Sequence, residues 1–253
     1  MKVTFLGTGT SQGVPVIACG CEVCTSSDKK DKRLRSSILV TSPAGNIVVD
    51  TTPDFRYQML REKVGHLEAV LITHSHKDHI AGMDDIRAFN YFQKSAINIY
   101  ATEFSQGVIK REFAYAFSDF KYPGIPEINL RTIAAADFEV NGLTITPIQV
   151  MHHKMPVLGF RIHDFTYITD ANYIAPEEKE KIRGSKVLVL NALRREKHIS
   201  HFTLDEAIAL GRELEVPRLY LTHISHQLGL HEEVSEELPP GAALAYDGLS
   251  LEI

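Results

Sequence analysis

The chain has 253 residues, of which 44% are hydrophobic, so it can bury a large core without disulfide bonds. Its 27 basic and 32 acidic residues give a net charge of -5, which disfavours non-specific nucleic-acid binding because that requires a basic surface. No apolar run approaches the roughly 18 residues of a membrane span, so we expect no membrane contact. The three cysteines do not suggest a secreted disulfide framework, and we expect a cytoplasmic protein. Because no Pro/Gly/Ser-rich linker divides the sequence, we expect residues 1–253 to form a single domain.

Short apolar strands alternate with helix-like segments, which favours an α/β layered architecture. Strands are predicted over Val3–Leu6, Ile38–Thr41, Asn46–Val49, Ala69–Thr73, Ile97–Ala101, Leu143–Val150, Gly159–Ile162, Thr166–Thr169, Lys186–Leu190, Arg218–Thr222 and Ala243–Tyr246. Helices are predicted over Pro53–Glu62, Ile80–Phe92 and Pro176–Arg183, and a fourth begins at the N-cap residue Thr203, which has a capping-box sequence. The stretch Phe104–Pro126 has aromatic residues without a clean period, and we interpret it as a flap or as the contact of a homodimer.

The strongest chemical signal is a cluster of histidines that directly follows the strand Ala69–Thr73. His74 and His76 are two residues apart, so in extended backbone both rings project to one side, and Asp78 and His79 follow immediately. Imidazole nitrogens and carboxylate oxygens are suitable ligands for zinc, manganese or iron. This spacing therefore predicts one corner of a metal site.

Three other strands end in residues of the same chemical type. His152 and His153 follow one strand, Asp170 follows another, and His223 follows a third. Ends of strands in layered sheets are common positions for functional residues, because the sheet fixes the backbone while its edge stays accessible. We therefore expect these residues to complete the metal site.

The order of these residues resembles the metallo-β-lactamase superfamily of binuclear metallohydrolases. Two further segments, Gly7–Pro15 and Gly82–Arg87, together with the run Ser200–Thr203, are similar to the phosphoribosyl cyclic phosphate phosphodiesterase family found with carbon–phosphorus lyase. The resemblance implies a four-layer αββα sandwich with two divalent metal ions, zinc or manganese, at one edge. It implies that one metal is bound by His74, His76 and His152, the other by Asp78, His79 and His223, and that Asp170 bridges them.

Several neighbouring residues are open to more than one interpretation. His153 is interpreted as a supporting or solvated residue, and the alternative is that it replaces His152 as the ligand. Asp50 either orients a ligand histidine or only ends its strand. Arg194 and Arg195 either contact a phosphate or belong to a solvated face. The four histidines without motif support are interpreted as ordinary surface or loop residues: His66, His163, His198 and His231. Gly7–Thr10 is interpreted as a tight turn close to the metal site.

A second metal site is indicated by the cysteines, which lie within six residues of one another. Cys19, Cys21 and Cys24 are thiolate ligands of the kind found in zinc knuckles, and His226 is the candidate for the fourth position. The family resemblance supports this Cys3His structural zinc site. The alternative is three free thiols.

The chemistry implied is hydrolysis of a small cyclic or diester phosphate by a hydroxide that bridges the two metals, with catalytic roles for His201 and Asp78. The expected partner is this small-molecule substrate, and nucleic acid is disfavoured. Three alternatives remain, namely a transfer-RNA 3′-processing endonuclease, a thioester hydrolase and a non-catalytic metal-binding module. No substrate-binding residue is predicted.

Overall fold

The computed structural model describes residues 1–120 and 122–253, and it places fifteen strands in two sheets. The strands are β1 (Lys2–Gly7), β2 (Ser37–Ser42), β3 (Gly45–Val49), β4 (Ala69–Leu71), β5 (Ile97–Ala101), β6 (Ile128–Thr132), β7 (Phe138–Val140), β8 (Leu143–His152), β9 (Met155–Ile162), β10 (Phe165–Tyr167), β11 (Tyr173–Ile174), β12 (Val187–Asn191), β13 (Arg218–Thr222), β14 (Ala242–Leu244) and β15 (Ser250–Glu252).

The two sheets have matching internal patterns. The first is seven-stranded in the order β15-β1-β2-β3-β4-β5-β6, with antiparallel pairing up to β3 and parallel pairing from β3 to β6. The second is eight-stranded in the order β11-β8-β9-β10-β12-β13-β14, with β7 paired to β8. It is antiparallel up to β10 and parallel from β10 to β14. His74 lies beyond β4 and His223 directly follows β13, so each comes after a strand in the parallel part of its sheet.

Apart from the short helix that contains Cys24, which packs against Val14, the helices lie on the outer faces of the sheets. The helices are α1 (Glu22–Thr25), α2 (Phe55–Arg61), α3 (Lys77–Ile80), α4 (Arg87–Gln93), α5 (Glu103–Glu112), α6 (Ala114–Phe117), α7 (Pro176–Ile182), α8 (Leu204–Glu213) and α9 (His231–Glu237). None of the described helices is long and apolar enough to cross a membrane.

Three apolar layers hold this arrangement together. The central layer lies between the sheets and contains Phe5 and Ile38 from the first sheet and Phe160 and Val189 from the second. A second layer joins the outer face of the first sheet to α2, α4 and α5, and a third joins the outer face of the second sheet to α8 and α9. The expected αββα sandwich is confirmed, and burial of these apolar faces is its main source of stability.

The predicted helix Ile80–Phe92 is wrong as a single element. The chain instead forms α3, a 3-10 turn over Met83–Ile86 and then α4. The interruption is at Gly82, whose N–H donates to the carbonyl of Thr51 at 2.9 Å, and a Cβ there would lie 2.1 Å from the carbonyl oxygen of Thr52. Close packing against the Thr51–Thr52 backbone therefore overrides the helical spacing of the apolar residues.

The stretch Phe104–Pro126, whose aromatic residues show no regular spacing in the sequence, also contains regular secondary structure. Helices α5 and α6 occupy much of Phe104–Pro126, and residue 121 lies outside the described residues. The N-cap residue of α5 is Thr102, whose hydroxyl accepts a hydrogen bond from the backbone N–H of Ser105. The exposed Phe104 follows this cap, so its backbone position is fixed although its side chain is 70% exposed.

The glycine turn near the N-terminus packs against two distant segments. A Cβ on Gly7 would lie 1.9 Å from the carbonyl oxygen of Arg35, so only glycine fits at this crossing. The carbonyl of Thr8 accepts a hydrogen bond from the backbone N–H of Ile224 at 2.9 Å. Because Ile224 directly follows His223, the turn lies close to the predicted site, as expected.

Candidate metal centre

The structure brings together all seven side chains that the sequence analysis assigns to the metal pair. They come from the segments that follow β4, β10 and β13 and from the end of β8. Ligand atoms of three overlapping groups lie within 4.8 Å of one another in each group: His74, His79 and Asp170; His152, Asp170 and His201; and Asp78, Asp170 and His223. Asp170 belongs to every group, so it lies at the centre of the cluster.

His76 and His152 adjoin these groups through His74. The Nε2 atom of His74 lies 3.0 Å from Nδ1 of His76. The ring of His152 is 5.8 Å from the ring of His74 and 5.3 Å from that of His76, measured between centroids. These three imidazoles therefore form one side of the cluster.

Distances to Asp170 define the other side. Its Oδ2 atom lies 3.4 Å from Nε2 of His79 and 3.3 Å from Nδ1 of His223, and Nε2 of His79 is 3.2 Å from Oδ2 of Asp78. Asp170 and His223 both have left-handed backbone, with φ of 54° each. Asp and His adopt this region more readily than most residues, and such strain concentrates at functional sites.

Neighbouring hydrogen bonds determine which nitrogen of several histidines faces the cluster. The Nδ1 atom of His152 lies 2.9 Å from the carbonyl of Ser200, and a carbonyl can only accept, so this nitrogen donates. Nδ1 of His74 lies 3.0 Å from the hydroxyl of Thr73, which itself donates to Asp50 and therefore accepts from the ring. In both rings, Nε2 carries the lone pair that can bind a metal, and in His74 this is the atom 3.0 Å from His76.

His79 provides the clearest test of whether a cation fits this cluster. Its Nδ1 atom lies 2.7 Å from Oδ2 of Asp50, a contact that fulfils the expected orienting role of Asp50. Its Nε2 atom is buried and has no hydrogen-bond partner among the described residues, although two carboxylates lie nearby. A buried polar atom without a partner is costly unless a ligand satisfies it. The residues therefore fit a divalent cation.

Protonation states are consistent with the same conclusion. Burial lowers the pKa of His223 to about 4 and holds that of His74 well below its ordinary value. Burial opposes ionisation of Asp170, but His223 and His79 hold the pKa of its carboxyl well below the usual range. Neutral His74 and His223 beside an ionised Asp170 are the forms that bind divalent metals. Against the effect of burial, Asp170, Asp50 and Asp78 raise the pKa of His79 well above its ordinary value, so a bound cation would displace the proton of this ring.

His201, for which the sequence predicts a catalytic role, contacts the central Asp170. Its Nε2 atom is 3.1 Å from Oδ1 of Asp170, and its ring stacks on that of His223 with centroids 4.9 Å apart. Because His201 lies within ligand distance of His152 and Asp170, the distances alone also permit it to bind a metal.

Two histidines that the sequence analysis interprets as ordinary surface or loop residues have specific contacts instead. Nδ1 of His198 lies 3.2 Å from Nδ1 of His201, so His198 borders the site. His231 is buried, and its Nδ1 atom lies 3.1 Å from the guanidinium of the buried Arg33. Neither residue belongs to a recognisable motif, so only the spatial arrangement of the loops shows these contacts.

The predicted Cys3His group is also brought together. Ligand atoms of Cys19, Cys21, Cys24 and His226 all lie within 4.8 Å of one another. Nδ1 of His226 is 3.4 Å from Sγ of Cys19 and 3.3 Å from Sγ of Cys21. The hydrogen bond to His226 lowers the pKa of Cys21 to about 6. The group joins the N-terminal loop to the segment after β13.

A cavity of about 800 Å³ opens beside the cluster, and His74, His76 and His152 form part of its wall. Its apolar wall consists of Phe104, Met155, Pro156, Leu158 and Ile199. Lys154 is the one lysine or arginine among the described residues that line it. Arg195 pairs instead with Glu237 at 2.7 Å, and Arg194 donates to Gln227 at 2.8 Å. His153 is exposed and also lines the cavity.

Comparison with known proteins identifies the family. Residues 45–224 match the family model described as β-lactamase superfamily domain. A crystal structure described as a new diphosphatase from the PhnP family is 39% identical, covers 100% of this chain and 97% of its own, and superposes with a TM-score of 0.93. Zinc-bound PqqB from Methylobacterium extorquens is 21% identical over 100% of both chains, with a TM-score of 0.81, which shows a shared fold.

Among curated sequences, an octanoyltransferase from Porphyromonas gingivalis is 40% identical over 98% of this chain. The match spans 51% of that protein, so this chain has about half its length. These matches confirm the resemblance inferred from the histidine and aspartate motifs. The chain belongs to the β-lactamase superfamily, has the metallo-β-lactamase fold and is similar to the PhnP family.

Proposed function

We propose that the chain is a metal-dependent phosphodiesterase that hydrolyses a small cyclic or diester phosphate. The observation that carries this proposal is the set of six histidine and aspartate side chains around Asp170, beside an open cavity. The full-length similarity to a protein described as a PhnP-family diphosphatase supports phosphate chemistry. Small-molecule substrates are favoured over nucleic acid because the chain has a net charge of -5.

Each side of the cluster would hold one zinc or manganese ion. In this assignment His74, His76 and His152 bind one ion, Asp78, His79 and His223 bind the other, and Asp170 bridges them. When bound, two divalent cations supply Lewis acidity to a phosphoryl group and lower the pKa of a water nucleophile towards about 7. The buried carboxylate of Asp50 holds the ring of His79 in the orientation that this assignment requires.

Proton transfer is assigned to two side chains of the cluster. His201 would donate a proton from Nε2 to the departing alkoxide. Stacking on His223 and the 3.1 Å contact of Nε2 with Asp170 hold the ring in place, and Nε2 would be free to donate once Asp170 binds the metals instead. Asp78 is partly accessible, with 13% of its side chain exposed, and its ionised carboxylate can accept a proton from water. His79 holds the pKa of Asp78 below its usual value against the effect of burial.

The Cys3His group is proposed as a separate structural zinc site. Four ligands with three thiolates match closed structural zinc sites, which have no open position for a substrate. A cation here would fix the N-terminal loop to the segment after His223. This site would therefore act on stability and on the position of His223 rather than on the chemical step.

A substrate panel tests the proposed function. The purified protein, with zinc or manganese added, is assayed with bis(4-nitrophenyl) phosphate, a ribose cyclic phosphate, a dinucleoside diphosphate, pre-transfer RNA, a glutathione thioester and an octanoyl thioester. We expect turnover of the small phosphate esters, and its loss in D170N. The exposed-residue variant D164N serves as the matched control and should retain activity.

The other outcomes of the panel decide between the remaining functions. Cleavage of a thioester alone would overturn the phosphodiesterase assignment, and the octanoyl thioester is included because of the name of the Porphyromonas gingivalis relative. Preferential cleavage of pre-transfer RNA would indicate a nuclease. No turnover of any substrate by metal-loaded protein would favour a non-catalytic metal-binding module.

A further inference from the structure

The cavity beside the metal cluster is lined by chemically different side chains. Three are histidines of the cluster, five are apolar, and hydroxyl and amide groups such as those of Ser105 and Gln149 also contribute to the lining. Phe104 and Ile199 are 70% and 67% exposed, which is unusual for residues of this size next to a polar site. Isolated exposed apolar residues need no explanation, but several around one concave surface indicate a binding site.

The apolar wall is built on the same backbone segments that hold the cluster. Met155 begins β9 directly opposite His152 in the β8–β9 ladder. The backbone N–H of Leu158 donates to the carbonyl of Thr73 at 3.0 Å, next to His74. Because these segments are shared, the wall has a fixed position relative to the reacting centre.

The backbone positions of the exposed Ile199 and Phe104 are also fixed by hydrogen bonds of neighbouring residues. Ile199 precedes Ser200, whose carbonyl accepts a hydrogen bond from His152 at 2.9 Å. Phe104 lies in the first turn of α5, where Thr102 caps the helix and also lines the cavity. The two residues therefore stand at defined places on the cavity wall, although they are far apart in sequence.

The charges of the wall restrict what it can bind. Lys154 is the one side chain with a permanent charge among the described residues that line the cavity, and no described aspartate or glutamate lines it. A phosphoryl group would be held by the cluster, so the group that enters the apolar side is uncharged. A volume of about 800 Å³ is large enough for a ring system and exceeds what a methyl or hydroxyl substituent needs.

We propose that this cavity binds an uncharged aromatic substituent of the phosphate substrate, packed against Phe104, Met155 and Ile199. The inference rests on the proposed phosphodiesterase function and narrows its substrate class to aryl or heterocyclic esters. An aromatic ring offers Phe104 an offset-stacked or edge-to-face contact in addition to the burial of apolar surface. Phe104 and Ile199 would then be residues that determine specificity, whereas the cluster carries the chemistry.

The test compares two ligands with the same charged group. Binding of phenylphosphonate and methylphosphonate to the metal-loaded protein is measured by titration calorimetry. We expect phenylphosphonate to bind at least about tenfold more tightly, because only its ring can contact the apolar wall. In F104A and I199S this preference should fall towards equality, with little change for methylphosphonate. The matched control is F120A, since Phe120 is 81% exposed and does not line the cavity.

The remaining outcomes separate the two proposals. Equal affinity of both phosphonates for the wild-type protein would overturn the inference and leave the proposed function standing. A preference for the ring that survives in both variants would also overturn it. If neither phosphonate binds and no phosphate ester is cleaved, the proposed function fails and the inference fails with it. Both variants alter exposed side chains, so a thermal melt close to that of wild type is expected.

Discussion

The Nδ1 atom of His79 lies 2.7 Å from Oδ2 of Asp50, and both side chains are buried. Asp50 also accepts hydrogen bonds from the backbone N–H and the hydroxyl of Thr73, each at 2.8 Å. Asp50 follows β3 with a φ of 66°, and Asp170 follows β10 with a φ of 54°. Each of these two strands begins the parallel part of its sheet. Residues at similar positions in the two sheets therefore have different roles: Asp50 supports a metal-binding histidine, and Asp170 is the central carboxylate of the cluster.

Replacement of this carboxylate tests its effect on the metal centre. In D50N the amide keeps the size of the side chain but lacks the negative charge that favours the Nδ1–H tautomer of His79. We expect metal affinity or kcat/KM to fall by about 10- to 100-fold, the range found for partners of metal-binding histidines. Metal analysis after dialysis and steady-state kinetics measure both effects. D164N is the control, because Asp164 pairs with Lys186 on the surface. Unchanged metal content and activity in D50N would contradict the assigned role.

Replacement of His201 distinguishes a proton donor from a ligand. In H201A we expect turnover to fall by at least about tenfold, because the leaving group loses its acid, while both metals stay bound. Loss of one metal equivalent would show that His201 is a ligand, which its 3.1 Å distance to Asp170 permits. The exposed His163 provides the control variant H163A, which should behave like wild type.

The proximity of the cluster's side chains was predictable from the sequence because its residues follow apolar strands. Strand ends can be recognised from local patterns, and the parallel parts of two sheets bring such ends together at one edge. Asp170 and His223 follow β10 and β13 in this way, and His152 ends β8. The positions of histidine and aspartate residues at strand ends were therefore sufficient to predict which side chains lie together in the cluster.

Features that depend on loop packing were not predictable in the same way. His198 and His231 acquire their contacts only when distant loops meet, and the helix predicted over Ile80–Phe92 is interrupted because Gly82 packs against Thr52. The apolar cavity combines side chains from α5, β9 and the loop before α8. A single sequence contains no periodic pattern for such a surface, so no substrate-binding residue was predicted.

The capping box of α8 provides a test of local stability. The hydroxyl of Thr203 accepts from the N–H of Glu206 at 3.2 Å, and the Glu206 carboxylate accepts from the N–H of Thr203 at 2.9 Å. T203A removes the first bond, and we expect a loss of about 1 kcal/mol in the free energy of unfolding. The conservative variant T203S keeps the hydroxyl and should lose less. Denaturant unfolding curves measure both, and equal stability of T203A and wild type would contradict a stabilising cap.

If the Cys3His group binds zinc, the protein should hold one metal ion per chain in addition to those of the histidine and aspartate cluster. C21S removes one of the four ligands, so we expect one fewer bound metal per chain and a lower melting temperature, because a structural zinc stabilises only the folded state. The neighbouring exposed residue provides the control E22Q, which should retain all metals. Metal content of C21S equal to that of wild type would show that the three thiols are not ligands.

Asp247 predicts a pH dependence of stability that is independent of both metal sites. It accepts hydrogen bonds from Thr8 and from the N–H of Leu34, each at 2.8 Å, but burial raises its pKa to about 6 from an ordinary value of 3.8. The folded state therefore holds this proton more strongly than the unfolded state. The resulting stabilisation is complete below the unfolded pKa and is lost as pH rises through the folded pKa.

The variant D247N lacks this titration, so its stability relative to wild type should improve as pH rises from about 4 to about 6.5. Taking the difference between the two proteins at each pH removes the contribution of every other titrating group. Chemical denaturation of both proteins across this pH range measures the difference in their free energies of unfolding. D164N is the matched control, because Lys186 lowers the pKa of Asp164 and its titration lies below this window. A constant difference between D247N and wild type, or a relative gain of wild type with rising pH, would mean that Asp247 remains ionised in the folded protein throughout.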